Sequence, residues 1–239
     1  MYVRPTVEGK PLSFGVSGKL WKDALIMYDR ETFSLWSHVT GTAVKGKLTG
    51  MRLRLYPAIH TTWTEWKQLY PDSLVLDKRT GLSLEGTRNV YEPYFANPSQ
   101  LGIFGTENPD KSLPGKEFVI GLTLDMVAVA YPYRHLSRQP LVNETVDGRA
   151  VVVVFSAETA TGVVFSRKLA NRTLTFTNLR REGKSLVIDD VETQSTWRAL
   201  SGEAVRGRLA GTRLEQLPST IGFWFAWKGF YPDSRVWRP

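Results

Sequence analysis

The 239-residue chain is long enough to bury a sizeable core, and its 42% hydrophobic and 23% charged residues exclude a disordered chain. It holds no cysteine, which excludes disulfides, thiolate metal sites and cysteine nucleophiles. The formal net charge of +8 is scattered, with no basic run longer than Arg180-Arg181 and no zinc-finger, helix-turn-helix or RNP-type pattern, so nucleic acid is not the expected partner.

The start, Met1-Tyr2-Val3-Arg4-Pro5, carries no apolar signal core, and no apolar stretch reaches the length of a membrane span. Strands are predicted at Leu12–Val16, Ala24–Tyr28, Leu35–His38, Ala43–Lys47 and Arg52–Tyr56, separated by Gly and charged turns. Alternation along Arg52-Leu53-Arg54-Leu55 turns the two leucines toward a core. Thr62 and Glu65 read as a capping box, opening a helix that runs to about Tyr70 and stops before Pro71. Trp63, Trp66 and Tyr70 share one face of that helix and read as core packing. Asp77–Lys116 reads as a long connector ordered by Tyr91, Tyr94 and Phe95. Phe118–Leu122 and Met126–Tyr131 then form a strand pair, and Pro132–Leu136 a helical turn. Val142–Val146 and Ala150–Phe155 flank the hairpin signal Asp147-Gly148.

Residues 29–73 align without a gap with residues 190–234, at an offset of 161 and with close to half the positions identical. Asp29, Glu31, Thr32, Ser34 and Trp36 recur as Asp190, Glu192, Thr193, Ser195 and Trp197. Tyr70-Pro71-Asp72-Ser73 returns as Tyr231-Pro232-Asp233-Ser234. Upstream, Leu12-Ser13-Phe14 pairs with Leu174-Thr175-Phe176 after a one-residue slip. The expected fold is mainly β with few short helices: two pseudo-symmetric β-rich repeats, each a small twisted sheet or partial barrel with one short helix packed on it. The divisions are a first repeat over 1–78, N-terminally incomplete, a connector over 79–116, and a second repeat with its upstream strands over 117–239. The incomplete first repeat is expected to leave an open strand edge, through which the protein would self-associate.

Several of these stretches resemble one family. Leu12-Ser13-Phe14-Gly15-Val16-Ser17-Gly18, Met27-Tyr28-Asp29-Arg30-Glu31-Thr32 and Ser34-Leu35-Trp36-Ser37 carry the likeness, with Thr61-Thr62-Trp63 and Tyr70-Pro71-Asp72. Pro93-Tyr94, Val119-Ile120-Gly121, Ala130-Tyr131-Pro132 and Leu141-Val142-Asn143 extend it. The pattern resembles the bacterial and archaeal family filed as domain of unknown function 3179. The resemblance implies no established reaction, and it allows an exported or periplasmic location, because members often carry export signals. Members usually have a Cys-Pro-x-Cys segment where this chain has Ser156-Ala157-Glu158-Thr159, so a thiol-dependent role is not carried over.

The strongest local constellation is Asp29-x-Glu31-Thr32-x-Ser34-x-Trp36 with its repeat. Two carboxylates near hydroxyls suit acid–base work or a hard cation; the competing reading is a tight turn in which Asp29 bonds its own backbone. His38 and His60 have no histidine counterpart in the second repeat and are the candidate metal or proton-shuttling pair. Asp29, Glu31, His38 and His60 are thus the candidate catalytic set, and Trp36 and Trp197 the candidates for stacking on a ligand. No cofactor motif is present. The leading functional expectation is a non-enzymatic binding or structural module; an enzyme or metal-handling protein, and a polyanion-binding protein, are the alternatives.

Overall fold

The computed structural model describes residues 1–75 and 91–239. The expected boundary between first repeat and connector, at 78 and 79, lies outside the described residues. The protein is mainly β. A small hairpin, β1 (Thr6–Val7) and β2 (Lys10–Pro11), leads into β3 (Phe14–Trp21), β4 (Ala24–Asp29), β5 (Leu35–Ser37) and β6 (Ala43–Lys45), which pair in that order as an antiparallel N-terminal sheet. Helix α1 (Trp63–Leu69) follows, then α2 (Glu92–Ala96). Next come β7 (Phe118–Leu124), β8 (Val127–Pro132), α3 (Tyr133–Leu136), β9 (Leu141–Val146), β10 (Arg149–Ser156) and β11 (Thr161–Ser166). A second small hairpin, β12 (Lys168–Leu169) and β13 (Arg172–Thr173), precedes β14 (Phe176–Glu182), β15 (Ser185–Asp190), β16 (Thr196–Arg198) and β17 (Glu203–Arg206). These last four form a C-terminal sheet ordered like the N-terminal one. The chain ends with β18 (Thr220–Phe223), α4 (Trp224–Phe230) and β19 (Arg235–Val236).

The core is a stack of layers through β10. Asp147 and Gly148, both at positive φ, turn β9 into β10. Val151 and Val153 pack against Ile120, Leu122 and Tyr131 of the β18-β7-β8-β19 sheet. Val152 and Val154 pack on the other side against Phe176, Ile188 and Trp197 of the C-terminal sheet. Burial on both faces explains why this strand is an unbroken apolar run rather than an alternating one. Beyond β7 and β8, Val119 and Ala130 receive Trp224 and Trp227 of α4. Gly121 is needed there, because a Cβ would sit 2.1 Å from the Trp227 ring. The N-terminal sheet closes a separate small core of Leu12, Trp36, Ala43 and Leu53.

Four expectations are corrected. Arg52–Tyr56 is not a strand: its backbone bonds go to different segments, Leu53 N–H to Gly41 and Tyr56 N–H to Met1, so only isolated bridges form. The capping box is half made: Thr62 Oγ1 accepts the Glu65 amide at 3.3 Å, but the Glu65 side chain turns to the β10–β11 turn instead. Trp63 is 54% exposed, so α1 does not pack through the face that carries it. Finally, α1 does not pack on the core of the N-terminal sheet; Leu69 joins the core of the C-terminal sheet. The expected edge is β3, paired only by β4 among the described strands, and a bulge between Val16 and Lys19 bends it.

Candidate ligand-binding site

The Asp29 constellation is a turn lock. Phe33, at φ +57°, reverses the chain, and the Asp29 carboxylate fills the turn it makes. The carboxylate accepts the Thr32 amide at 2.6 Å, the Thr32 hydroxyl at 2.8 Å, the Ser34 amide at 3.1 Å and the Trp36 indole N–H at 2.9 Å. Asp190 accepts from Thr193, Ser195 and Trp197 in the same way, with the indole again at 2.9 Å. Burial pushes the Asp29 carboxyl up, but its bonds to Trp36, Thr32 and Ser34 outweigh burial and hold it below the ordinary carboxylate range. Glu31 accepts the Ser13 amide and hydroxyl, at 2.8 and 2.7 Å, which lowers its carboxyl too and ties the turn to the start of β3. Trp36 and Trp197 are fully buried, with Phe14 and Phe176 edge-on at 5.5 and 5.9 Å, so neither ring offers a face to a ligand.

The structure places the two histidines in different settings. His38 Nδ1 lies 2.8 Å from the Leu25 carbonyl oxygen and lines a cavity. His60 is exposed just ahead of α1 and is not among the residues lining that cavity. Among the described residues, no group of three or more His, Cys, Asp or Glu side chains is arranged to hold a metal ion. The segment in the family's Cys-Pro-x-Cys position instead builds a hydroxyl cluster. The Thr159 hydroxyl donates to the buried Glu65 carboxylate, and its oxygen lies 3.0 Å from Ser156 Oγ and 2.8 Å from Thr161 Oγ1. Thr161 in turn reaches Thr61 at 2.8 Å, clamping α1 to the β10–β11 turn.

The helices are exchanged. Glu65, Gln68 and Leu69 of α1 face Ser185, Leu186 and Leu200 of the C-terminal sheet. In matching positions, Ala226 of α4 faces Ala24, Leu25 and Val39 of the N-terminal sheet. The gap beside α1 is closed down to about 10 Å³, whereas that beside α4 is a cavity of about 550 Å³. Side-chain size contributes to the difference: Glu65 beside the closed gap is matched in sequence by Ala226 beside the cavity. Tyr91, Tyr94 and Ile103 wall the cavity on the connector side, and Phe223, Phe225 and Trp227 on the α4 side. The polar groups among its lining residues include His38, Asp23, Gln100 and Thr220.

Sequence reasoning picked out His38 but missed the rest of this wall. The available signal was Gly222 and Ala226, small residues at the positions that align with Thr61 and Glu65. It was invisible as a site because the facing surface comes from residues nearly two hundred positions earlier in the chain.

Fold and cavity together define a mainly β protein of stacked small sheets with a largely apolar ligand-sized cavity beside α4. A family model described as "Protein of unknown function (DUF3179)" matches residues 1–234, and the chain belongs to that family. No curated protein and no solved structure matches the chain. No helix among the described residues is long and apolar enough to cross a membrane.

Proposed function

We propose that this chain is a duplicated, non-enzymatic binding module whose ligand site is the cavity between the N-terminal sheet and α4. The observation that carries the reading is the asymmetry between two matching gaps: one is filled by its own side chains, and the other is held open and walled by aromatic rings. A cavity of about 550 Å³ is of a size that holds small organic ligands, and a wall of this kind, with a few polar groups, is the usual composition of such sites. The divisions 1–78, 79–116 and 117–239 belong to the same reading, with the connector contributing one wall. An enzymatic or metal-handling site at Asp29 and Glu31 draws no support, because their carboxylates are occupied as acceptors within the turn.

The test uses N-phenylnaphthylamine, a neutral dye that fluoresces on entering an apolar cavity. The intact protein is expected to bind it saturably at one site. Gly222→Trp is expected to abolish binding, since a Cβ at Gly222 meets nothing within 4 Å and the indole has open space to occupy. Ala226→Leu closes the site from a second position on the same wall. Dye binding that survives both substitutions, in variants with unchanged thermal unfolding, would overturn the assignment.

A further inference from the structure

The charged groups lining the cavity differ from those of the chain as a whole. The protein carries +8 overall, yet among the described residues no Lys or Arg lines the cavity, and Asp23 is the one carboxylate there. Lys22 and Asp23, both at positive φ, form the tight turn between β3 and β4, and this turn presents the Asp23 carboxylate to the connector. Gly102 packs directly on the carboxylate: a Cβ at that position would lie 2.5 Å from it. The Thr106 hydroxyl donates to one of its oxygens and fixes its orientation.

His38 agrees in sense. His38 Nδ1 is 2.8 Å from the Leu25 carbonyl, which can only accept, so Nδ1 carries the proton. In the tautomer selected by this bond, Nε2 is an acceptor. Aromatic rings attract cations over their faces, and one ring of the wall already holds one: Lys116 Nζ sits 3.7 Å from the centroid of the Tyr94 ring, while also bonding the Tyr94 and Asn97 carbonyls. Lys22 lies at the edge of the region, over Trp21 and Phe230, with its ammonium donating to the Gly229 carbonyl.

We infer that the cavity takes a cationic ligand with an apolar body, an aryl- or alkyl-substituted amine, with Asp23 as the counter-charge and the ring faces of the wall as its cation-binding surface. The inference rests on the proposed binding function and specifies its ligand class. A surface attraction would have the opposite sign, since a +8 chain draws anions.

The test displaces bound N-phenylnaphthylamine with three molecules of one shape: phenylbutylamine, phenylbutanol and phenylbutyrate. At about pH 8 an aliphatic amine is charged and an imidazole is neutral. The amine is expected to displace the dye about tenfold more effectively than the acid, with the alcohol between them. Asp23→Asn keeps the left-handed turn and an acceptor for Thr106, and is expected to bring the amine down to the level of the alcohol, with each displacement scaled to the dye affinity measured for that variant. An acid that matches or exceeds the amine in the unmodified protein overturns the inference and leaves the binding function standing. An amine preference that persists in Asp23→Asn overturns the role of Asp23. Absence of dye binding removes the binding function itself. If Asp23→Asn does not fold, the ligand series on the unmodified protein still decides the ligand class.

Discussion

Asp29 and Asp190 show how one buried carboxylate sets a turn. Each is at most 2% exposed and gathers two backbone amides, a hydroxyl and an indole N–H. Removing the carboxylate leaves those donors buried and unpaired, so Asp29→Ala or Asp190→Ala is expected to cost about 3 kcal/mol in urea unfolding. A loss under about 1 kcal/mol would show that the turn holds without its carboxylate. The pH dependence has a definite sign. Asp29 is held below its ordinary value of 3.8, so its contribution is complete above that pH and disappears as pH falls through the lower folded value. Tyr2 and Tyr133 behave oppositely. Burial raises both to about 12 from an ordinary 10.0, with nearby Tyr231 adding to the rise at Tyr2. Their contribution is complete below pH 10 and declines as pH rises toward about 12, which urea midpoints measured across that window would register.

At the scale of elements, the Glu65 cluster decides where α1 docks. A seven-residue helix is too short to be stable alone, so its order depends on what it touches. Glu65→Ala is expected to raise amide hydrogen exchange in Trp63–Leu69 about tenfold while β10 stays protected. Equal protection of α1 in the variant would mean that Leu69 and the neighbouring apolar contacts suffice. The β3 edge carries a bulge and Lys19, features that discourage strand addition. Native mass spectrometry is therefore expected to show a monomer at micromolar concentration; a dimer lost on Val16→Lys would instead identify β3 as a self-pairing edge.

Across the whole molecule, the packing of α4 against the β7–β8 sheet sets one wall of the cavity. Gly121→Ala would drive a methyl into the buried Trp227 ring, which must shift to admit it, and is expected to cost about 2 kcal/mol. Because Trp227 also lines the cavity, the same variant is expected to weaken N-phenylnaphthylamine binding. Gly162→Ala is a useful comparison: its methyl would meet the flexible end of Ile120, and a smaller loss is expected. Similar losses at the two sites would argue that the α4 layer is more yielding than the structure implies.

Much of the architecture was legible because it depends on local chemistry. The Asp147-Gly148 hairpin, the Asp29 turn, the strand-sized valine run and the family pattern all follow from residues close in sequence, where turn geometry and side-chain period act directly. The turn reading was legible beside the catalytic one, since Asp, Thr and Ser at that spacing can satisfy backbone donors. What the chain order could not reveal was decided by packing between distant segments. Residues 52–56 alternate like a strand but find no continuous partner. Thr62 and Glu65 have the spacing of a reciprocal cap, yet a nearby hydroxyl cluster captures the carboxylate. Most of all, the exchange of α1 and α4 between sheets depends on which apolar faces meet. That placement makes Gly222 and Ala226, unremarkable as a string, part of one wall of a cavity, with His38 and Asp23 on the other.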